Sequence, residues 1–437
     1  MGLALLVIIK FLQYFFKTIS FFVERFIGLL GIALIFGIAF LLSNNRRAIN
    51  YRLIGTGLLL QIILAVFILK VPVGKQIFGW LAKAIEKVLH FSGDGADFVF
   101  GPLVRQSVLG KSFGEANTFI FFVQIIPTII FVAVLVSLAY HIGLMQRVVA
   151  AVAKVMHKVM GVSGSEALSN AASAFVGQVE AQIMIKPYLE GMTRSELLAS
   201  MAGSMACIAG GVMATYIALG IPAEYLLTAS LMAAPGALVI SKIVYPETEP
   251  SQTQGEVKLH VEKESANLID AISHGASEGL KVGLNVVAML IGFIALIGLF
   301  DYLLGKIGEL LHLPLPEKLS MKFILGWFFA GFAWCMGVPS QDILQAGSLM
   351  GTKMVVNEFV AYLDMTKLMS TLQPKTIMIT SFALCGFANF SSIAIQVGGI
   401  GQLAPERRKD LAELGLRALI CGTLASYLSA TIAGMLM

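Results

Sequence analysis

Apolar runs long enough to cross a bilayer constrain this chain more than any other feature. Residues 26–43 and 53–69 carry no charged side chain. At 1.5 Å rise per residue, a helix of that length covers ~25–27 Å of a hydrocarbon core ~30 Å thick. Further runs of similar character lie at 118–140, 197–221, 225–245, 282–302, 376–400 and 411–437. In hydrocarbon every backbone polar group must be satisfied internally, which leaves helices and closed barrels. Continuous runs without two-residue alternation read as helices. Charged residues make up only 13% of the chain, against roughly 25% in soluble domains. Its 43 glycines suit close helix approach in a membrane. The expected class is an all-α polytopic membrane protein of about eight transmembrane helices, multi-pass in the cell inner (plasma) membrane.

The net charge of +5 does not point to a nucleic-acid partner, because the basic residues sit in short clusters between spans. Arg46, Arg47 and Arg52, and Arg407-Arg408-Lys409, mark cytoplasmic loops by the positive-inside bias. Residues 74–91 and 147–160 are amphipathic and basic, as interfacial helices are. Residues 1–25 read as an extra N-terminal membrane or interfacial helix, since no small-residue cleavage site follows the apolar stretch. Cys207, Cys335, Cys385 and Cys421 lie in apolar segments without paired spacing, which indicates buried small residues rather than disulfides or zinc ligands.

Two regions, 163–193 and 340–370, are interrupted at mid-length. The first carries Gln178-Val179-Glu180 and the second Asn357-Glu358. Arms of 10–14 residues reach ~15–20 Å, so each region reads as a re-entrant hairpin with a polar tip. Each follows a span and an interfacial stretch, and each precedes two spans. One series holds an odd number of crossings, so the other enters inverted, as in many secondary transporters. Small residues at Ala209-Gly210-Gly211 and at Gly386 and Ala388-Asn389 are the expected unwinding points. Residues 26–160 are expected to form mainly scaffold spans and interfacial helices, and 161–245 the first hairpin and transport-domain helices. A polar loop and amphipathic segment at 246–280 leads to a scaffold span and interfacial helix at 281–338, and 339–437 holds the second hairpin and transport-domain helices.

Glu180 and Glu358 are the residues that most need an explanation. A carboxylate at membrane depth is costly and marks a functional site by default; the alternative places both in surface loops. Each tip pairs an acid with an amide and lacks Arg or Lys, which suits a neutral, hydroxylated solute better than an anion. Asn389, Ser391 and Ser392 interrupt a later span, where helix–helix hydrogen bonding is the plain alternative. No H-E-x-x-H motif occurs and none of the six His lies close in sequence to either tip glutamate, so an intramembrane hydrolase is disfavoured and no enzyme activity is expected. A passive channel lined by the two tips stays open at this level.

The run Gly351-Thr352-Lys353-Met354-Val355-Val356-Asn357-Glu358-Phe359-Val360-Ala361-Tyr362 resembles the signature of the concentrative nucleoside transporters. Val176-Gly177-Gln178-Val179-Glu180 is similar to that family's V-G-Q-T-E tip. Pro246-Glu247-Thr248-Glu249 and Cys385-Gly386-Phe387-Ala388-Asn389 also match, and the segment order is kept from Phe26 to the C-terminus.

The resemblance implies a cation-coupled symporter that imports nucleosides such as uridine. It implies a homotrimer whose transport domain moves as an elevator against a scaffold in the lipid bilayer. Gln178 and Glu180 would contact the base, with Val179 beside it. Glu358, Asn389 and Ser392 would hold the ribose, and Val212, Val282, Leu363 and Phe387 would pack around the substrate. No cofactor is implied beyond a coupling ion, Na⁺ or H⁺. A sodium site would draw on Ser173, Val176, Cys207 and Ile208. Ser173 stands where the family has Asn, however, and Cys207 where it has a hydroxyl residue. Na⁺ prefers hard oxygen ligands, which a thiol replaces poorly. A desolvated carboxylate holds a proton readily, which makes Glu180 or Glu358 the expected carrier if the ion is H⁺. Val179 in place of the family's Thr removes a hydroxyl beside the base.

Overall fold

Helices account for the architecture in the computed structural model, which describes residues 27–114, 120–254, 265–310 and 319–437. The expected helix at 1–25 lies outside the described residues. The first run forms α1 (Ile27–Leu41). The loop after it leads to α2 (Tyr51–Leu69), which starts where the Asn50 side chain accepts from the Arg52 and Leu53 amides. Amphipathic α3 (Pro72–His90) and short α4 (Ser92–Phe100) and α5 (Gln106–Phe113) follow.

Two series of the same order then follow. The first is α6 (Phe121–His141), α7 (Leu144–Met160), the hairpin α8 (Gly164–Ser173) with α9 (Glu180–Ile183), the broken pair α10 (Arg194–Ala206) and α11 (Gly210–Ala218), and α12 (Ala223–Val244). The second is α13 (Leu268–Leu310), α14 (Met321–Cys335), the hairpin α15 (Ile343–Val355) with α16 (Glu358–Leu368), the broken pair α17 (Pro374–Leu384) and α18 (Phe390–Leu403), and α19 (Arg408–Leu436). Corresponding elements pair in space: α6 packs on α13 and α12 on α19, while α7 backs α8 as α14 backs α15.

The helices differ sharply in burial. The spans from Arg194–Ala218, α12 and α19 are 78%, 89% and 83% buried, whereas α2, α6 and α13 are 28%, 33% and 11% buried. The two hairpins pack on this buried group through α10 and α17. The α6–α13 pair is closed by small residues: a Cβ at Gly275 or Gly279 would come within 2.8 or 2.7 Å of an α6 Cα. Such one-turn spacing of glycines lets helix backbones approach where lipid supplies no hydrophobic drive.

Three expectations need correction. The segment before 282 is not separate from the span; α13 is one helix of 43 residues, ~65 Å long. Its first turns pack on α6, so helix continues where sequence hydropathy falls. The first unwinding point falls at Cys207-Ile208-Ala209, and Gly210 and Gly211 open α11 instead. The returning arm of the first hairpin is not one helix either: α9 has four residues, and a 3₁₀ turn at Lys186–Gly191 follows. Pro187, without an N–H, cannot extend α9. Pro127 sits inside α6 without ending it.

The basic loops share one end of the molecule. The Asn44 amide donates to the Val244 carbonyl (3.1 Å), Ser195 Oγ to the Tyr245 carbonyl (2.6 Å), and Arg194 pairs with Glu413 (2.6 Å). Arg407 also donates to the carbonyls of Glu190 and Met192. Two capping boxes start helices at this end, Ser163 with Glu166 and Thr193 with Glu196. Lys242, 4% exposed, is ion-paired to Glu166 and bonded to Ser195 (2.8 Å) and Glu247 (3.2 Å). This buried cluster ties the base of the first hairpin to α12 and to the Pro246-Glu247-Thr248-Glu249 segment.

Candidate functional site

The two helix breaks lie against each other. Gly386, in the second break, has φ +108, and a Cβ there would fall 2.3 Å from the Ala206 carbonyl oxygen at the end of α10. Only glycine fits both that backbone conformation and that contact. The half-helices α11, α16 and α18 begin in this region, and helix N-termini favour negative charge.

Glu358 occupies the first position of α16 and is 5% exposed. Tyr216 OH on α11 donates to its Oε1 (3.1 Å), and Asn389 Nδ2 donates to Oε2 (3.0 Å). The Asn389 amide is fixed in orientation, because its Oδ1 caps α18 by accepting from Ser392 N (2.9 Å) and Ser391 Oγ (2.7 Å). Asn357 caps α16 in the same way, accepting from Val360 N (2.9 Å). Lys353, 1% exposed, donates to the carbonyls of Ala383 (2.8 Å) and Cys385 (3.2 Å), which the break in α17 leaves without helical partners. Tyr362 OH donates to the Ser381 carbonyl (2.7 Å), and its ring lies 4.3 Å from that of Tyr216.

The first tip meets the same α18 N-terminus. Gln178 Nε2 donates to Ser392 Oγ (3.3 Å), and Gln396 Nε2 donates to Gln178 Oε1 (3.3 Å). The Val179 side chain packs onto Gly399, where a Cβ would stand 2.5 Å from it. Glu180 is exposed, and among the described residues its carboxylate has no hydrogen-bond or ion-pair partner. It folds over Gly177, where a Cβ would lie 2.1 Å from a carboxylate oxygen. Behind this tip runs a buried chain of hydroxyls and an amide. Ser173 Oγ lies 2.9 Å from Ser204 Oγ, which accepts from Gln182 (2.8 Å), and Gln182 accepts from Ser200 (2.5 Å).

With this geometry in hand, the relatives are informative. A family model described as "Na+ dependent nucleoside transporter C-terminus" matches residues 225–434, its N-terminal counterpart matches 30–103, and a "Nucleoside recognition" model matches 122–223. The chain is 43% identical over 409 residues to an uncharacterized transporter, YutK, of Bacillus subtilis, covering 93% of this chain and 98% of that one. It is 38% identical over 413 residues to the nucleoside permease NupC of Helicobacter pylori, covering 93% and 97%. This chain is a bacterial member of the concentrative nucleoside transporter family. The fold agrees: CNTnw in an inward-facing substrate-bound state has a TM-score of 0.89 at 40% identity, covering 94% of this chain and 97% of that one. CNTnw variants in an outward-facing state match comparably. The protein is therefore a multi-pass plasma-membrane nucleoside transporter and not an enzyme.

Within this transporter the structure brings Gln178, Glu358, Asn389 and Ser392 together through direct hydrogen bonds. Glu180, two residues from Gln178, is exposed. Val212, Leu363 and Phe387 are half-buried at the break and hairpin positions. Val282 is 41% exposed on α13, which packs on α6.

At the position of the implied sodium ligands, Ser173 Oγ already donates to the Ser169 carbonyl (2.8 Å), and Cys207 Sγ points to the Ser230 carbonyl (3.7 Å). The carbonyls of Val176 and Ile208 accept no hydrogen bond from the described residues. The thiol of Cys207 is a soft ligand and replaces a hard oxygen poorly in a site for Na⁺.

Tyr216 and Gln396 escaped the sequence reading. Tyr216 follows the Gly210-Gly211 start of α11, and a buried Tyr hydroxyl needs a partner. Gln396 falls one turn after Ser392, on the same helix face.

Proposed function

We propose that this transporter is a proton-coupled nucleoside symporter that imports nucleosides such as uridine. The observation that carries the choice of ion is Cys207, which sets a soft thiol where Na⁺ needs a hard oxygen, with Ser173 standing in place of an amide oxygen. Glu180 is the group we assign to the proton. Glu358 already accepts from Tyr216 and Asn389, whereas the Glu180 carboxylate is accessible and unpartnered among the described residues. Protonation at Glu180 would remove the charge that the tip must otherwise carry through the membrane.

In this reading Glu358 accepts from the ribose hydroxyls through charge-assisted bonds, with Asn389 and Ser392 alongside. Gln178 and Glu180 face the base. The hairpins with α10–α12 and α17–α19 form the moving body, supported by their high mutual burial, and α1–α6 with α13 form the scaffold. An elevator displacement of that body carries the site across. A homotrimer and contact with lipid account for exposed apolar residues on the scaffold side, such as Trp80 and Phe98 at 71% and 92% exposure. An uncoupled channel is the second reading, and the same assay separates it.

Purified protein reconstituted in liposomes is tested for labelled uridine uptake under a pH gradient, under a Na⁺ gradient and under neither. Accumulation above equilibrium with the pH gradient alone supports proton symport. Accumulation driven by Na⁺ alone contradicts it, and equilibration without accumulation under any gradient identifies a channel.

A further inference from the structure

Gln396 is fully buried (0% exposed), yet it spends its amide on the first tip. Its Nε2 donates to the Met201 carbonyl on α10 (3.1 Å) and to Gln178 Oε1 (3.3 Å). A backbone carbonyl only accepts, so the Gln396 NH₂ must face Met201 and the amide cannot be reversed. Its second N–H then fixes Gln178 in turn. Oε1 of Gln178 is taken, and Nε2 turns toward Ser392 and the site. A reversed Gln178 would set two NH₂ groups against each other. Orientation thus passes from the main chain of α10 through Gln396 to the tip.

Gln396 also leaves its own Oε1 buried without a hydrogen-bond partner. An apolar side chain would fill the same space without leaving a buried acceptor unpaired, so filling space alone does not account for an amide here.

We infer that Gln396 is a positioning residue for nucleobase selection. By occupying the Gln178 oxygen it makes Gln178 a pure donor toward substrate, next to Glu180, whose carboxyl keeps an accepting oxygen whether or not it carries the proton. The tip then complements a base edge on which an acceptor adjoins an N–H, as the carbonyl and imide of uracil do. The inference rests on the reading that Gln178 contacts the base.

The test compares KM for uridine with KM for a benzene C-riboside, whose ring has neither donor nor acceptor, in liposome uptake by wild type, Gln396→Met, Gln178→Ala and the double variant. Gln396→Met raises the uridine KM about 2–10-fold, the equivalent of one neutral hydrogen bond. It leaves the benzene riboside KM unchanged and adds nothing in the Gln178→Ala background. A purely structural role would move both substrates together or move neither, and either result overturns the inference, as does full additivity with Gln178→Ala. If Gln178→Ala itself leaves the ratio of the two KM values intact, the base-contact reading falls and takes the inference with it. Gln178→Glu supplies an arm that does not depend on the folding of a Gln396 variant. It keeps the acceptor for Gln396 but removes the donor, so it must weaken uridine as Gln178→Ala does; retained uridine affinity overturns the donor assignment.

Discussion

Glu358→Gln removes one charge and adds one N–H in a group whose neighbours are fixed. The Asn389 amide cannot turn over, because its oxygen caps α18 through Ser392 N and Ser391 Oγ. A glutamine oxygen must therefore face Asn389 Nδ2, and its NH₂ must face Tyr216 OH. The tyrosine hydroxyl can accept as well as donate, so the variant is accommodated and the fold survives. One of the two lone-pair positions left to substrate becomes an N–H, and the other loses its charge. A hydrogen bond to a charged group contributes about 1.5–3 kcal/mol, against about 0.5–1.5 for a neutral one. Losing one charged bond to the ribose and the charge assistance of the other gives about 2.5–4.5 kcal/mol, or roughly 10²–10³ in kcat/KM. The assay is labelled uridine uptake into liposomes, with size-exclusion profile and melting temperature as controls on folding. The expected result is uptake lowered by at least two orders of magnitude with melting close to wild type. Wild-type uptake would remove Glu358 from the ribose role, and loss of uptake matched by loss of folded protein would show that it is structural.

Three further outcomes follow from the same contacts. Lys242→Ala strands Glu166 at 1% exposure, and breaking a buried pair costs about 3–5 kcal/mol; Glu166→Gln in the same chain should restore part of the melting temperature. Lys353→Met leaves the Ala383 carbonyl at the α17 break without its donor and the Cys385 carbonyl with Ser426 Oγ alone, a loss of about 1–3 kcal/mol that thermal unfolding in detergent will register. Gly386→Ala drives a Cβ into the Ala206 carbonyl and should abolish uptake and lower stability together, which separates it from Glu358→Gln.

The sequence made the spans, the order of the repeats and both hairpin tips legible, because charge is excluded from hydrocarbon and every exception stands out. Glu358 and Asn389 were visible for that reason. Less legible were boundaries where tertiary contact overrides hydropathy. The early turns of α13 are helical because Gly275 and Gly279 seat them on α6, not because they are apolar. Pairings that cross the repeats were invisible too. Tyr216 lies 142 residues from Glu358, and Gln396 lies 218 residues from Gln178. A linear pattern records neither contact. The exposure of Glu180 was not legible either, because burial at a tip depends on how the flanking segments pack.

Coupling to the proton through Glu180 is the central claim, and substrate-driven proton movement tests it most directly. Liposomes loaded with a pH-sensitive dye receive uridine outside, with no gradient imposed and no Na⁺ present. The account predicts internal acidification that depends on uridine and disappears in Glu180→Gln. Uridine entry without acidification, or entry that requires Na⁺, would contradict it.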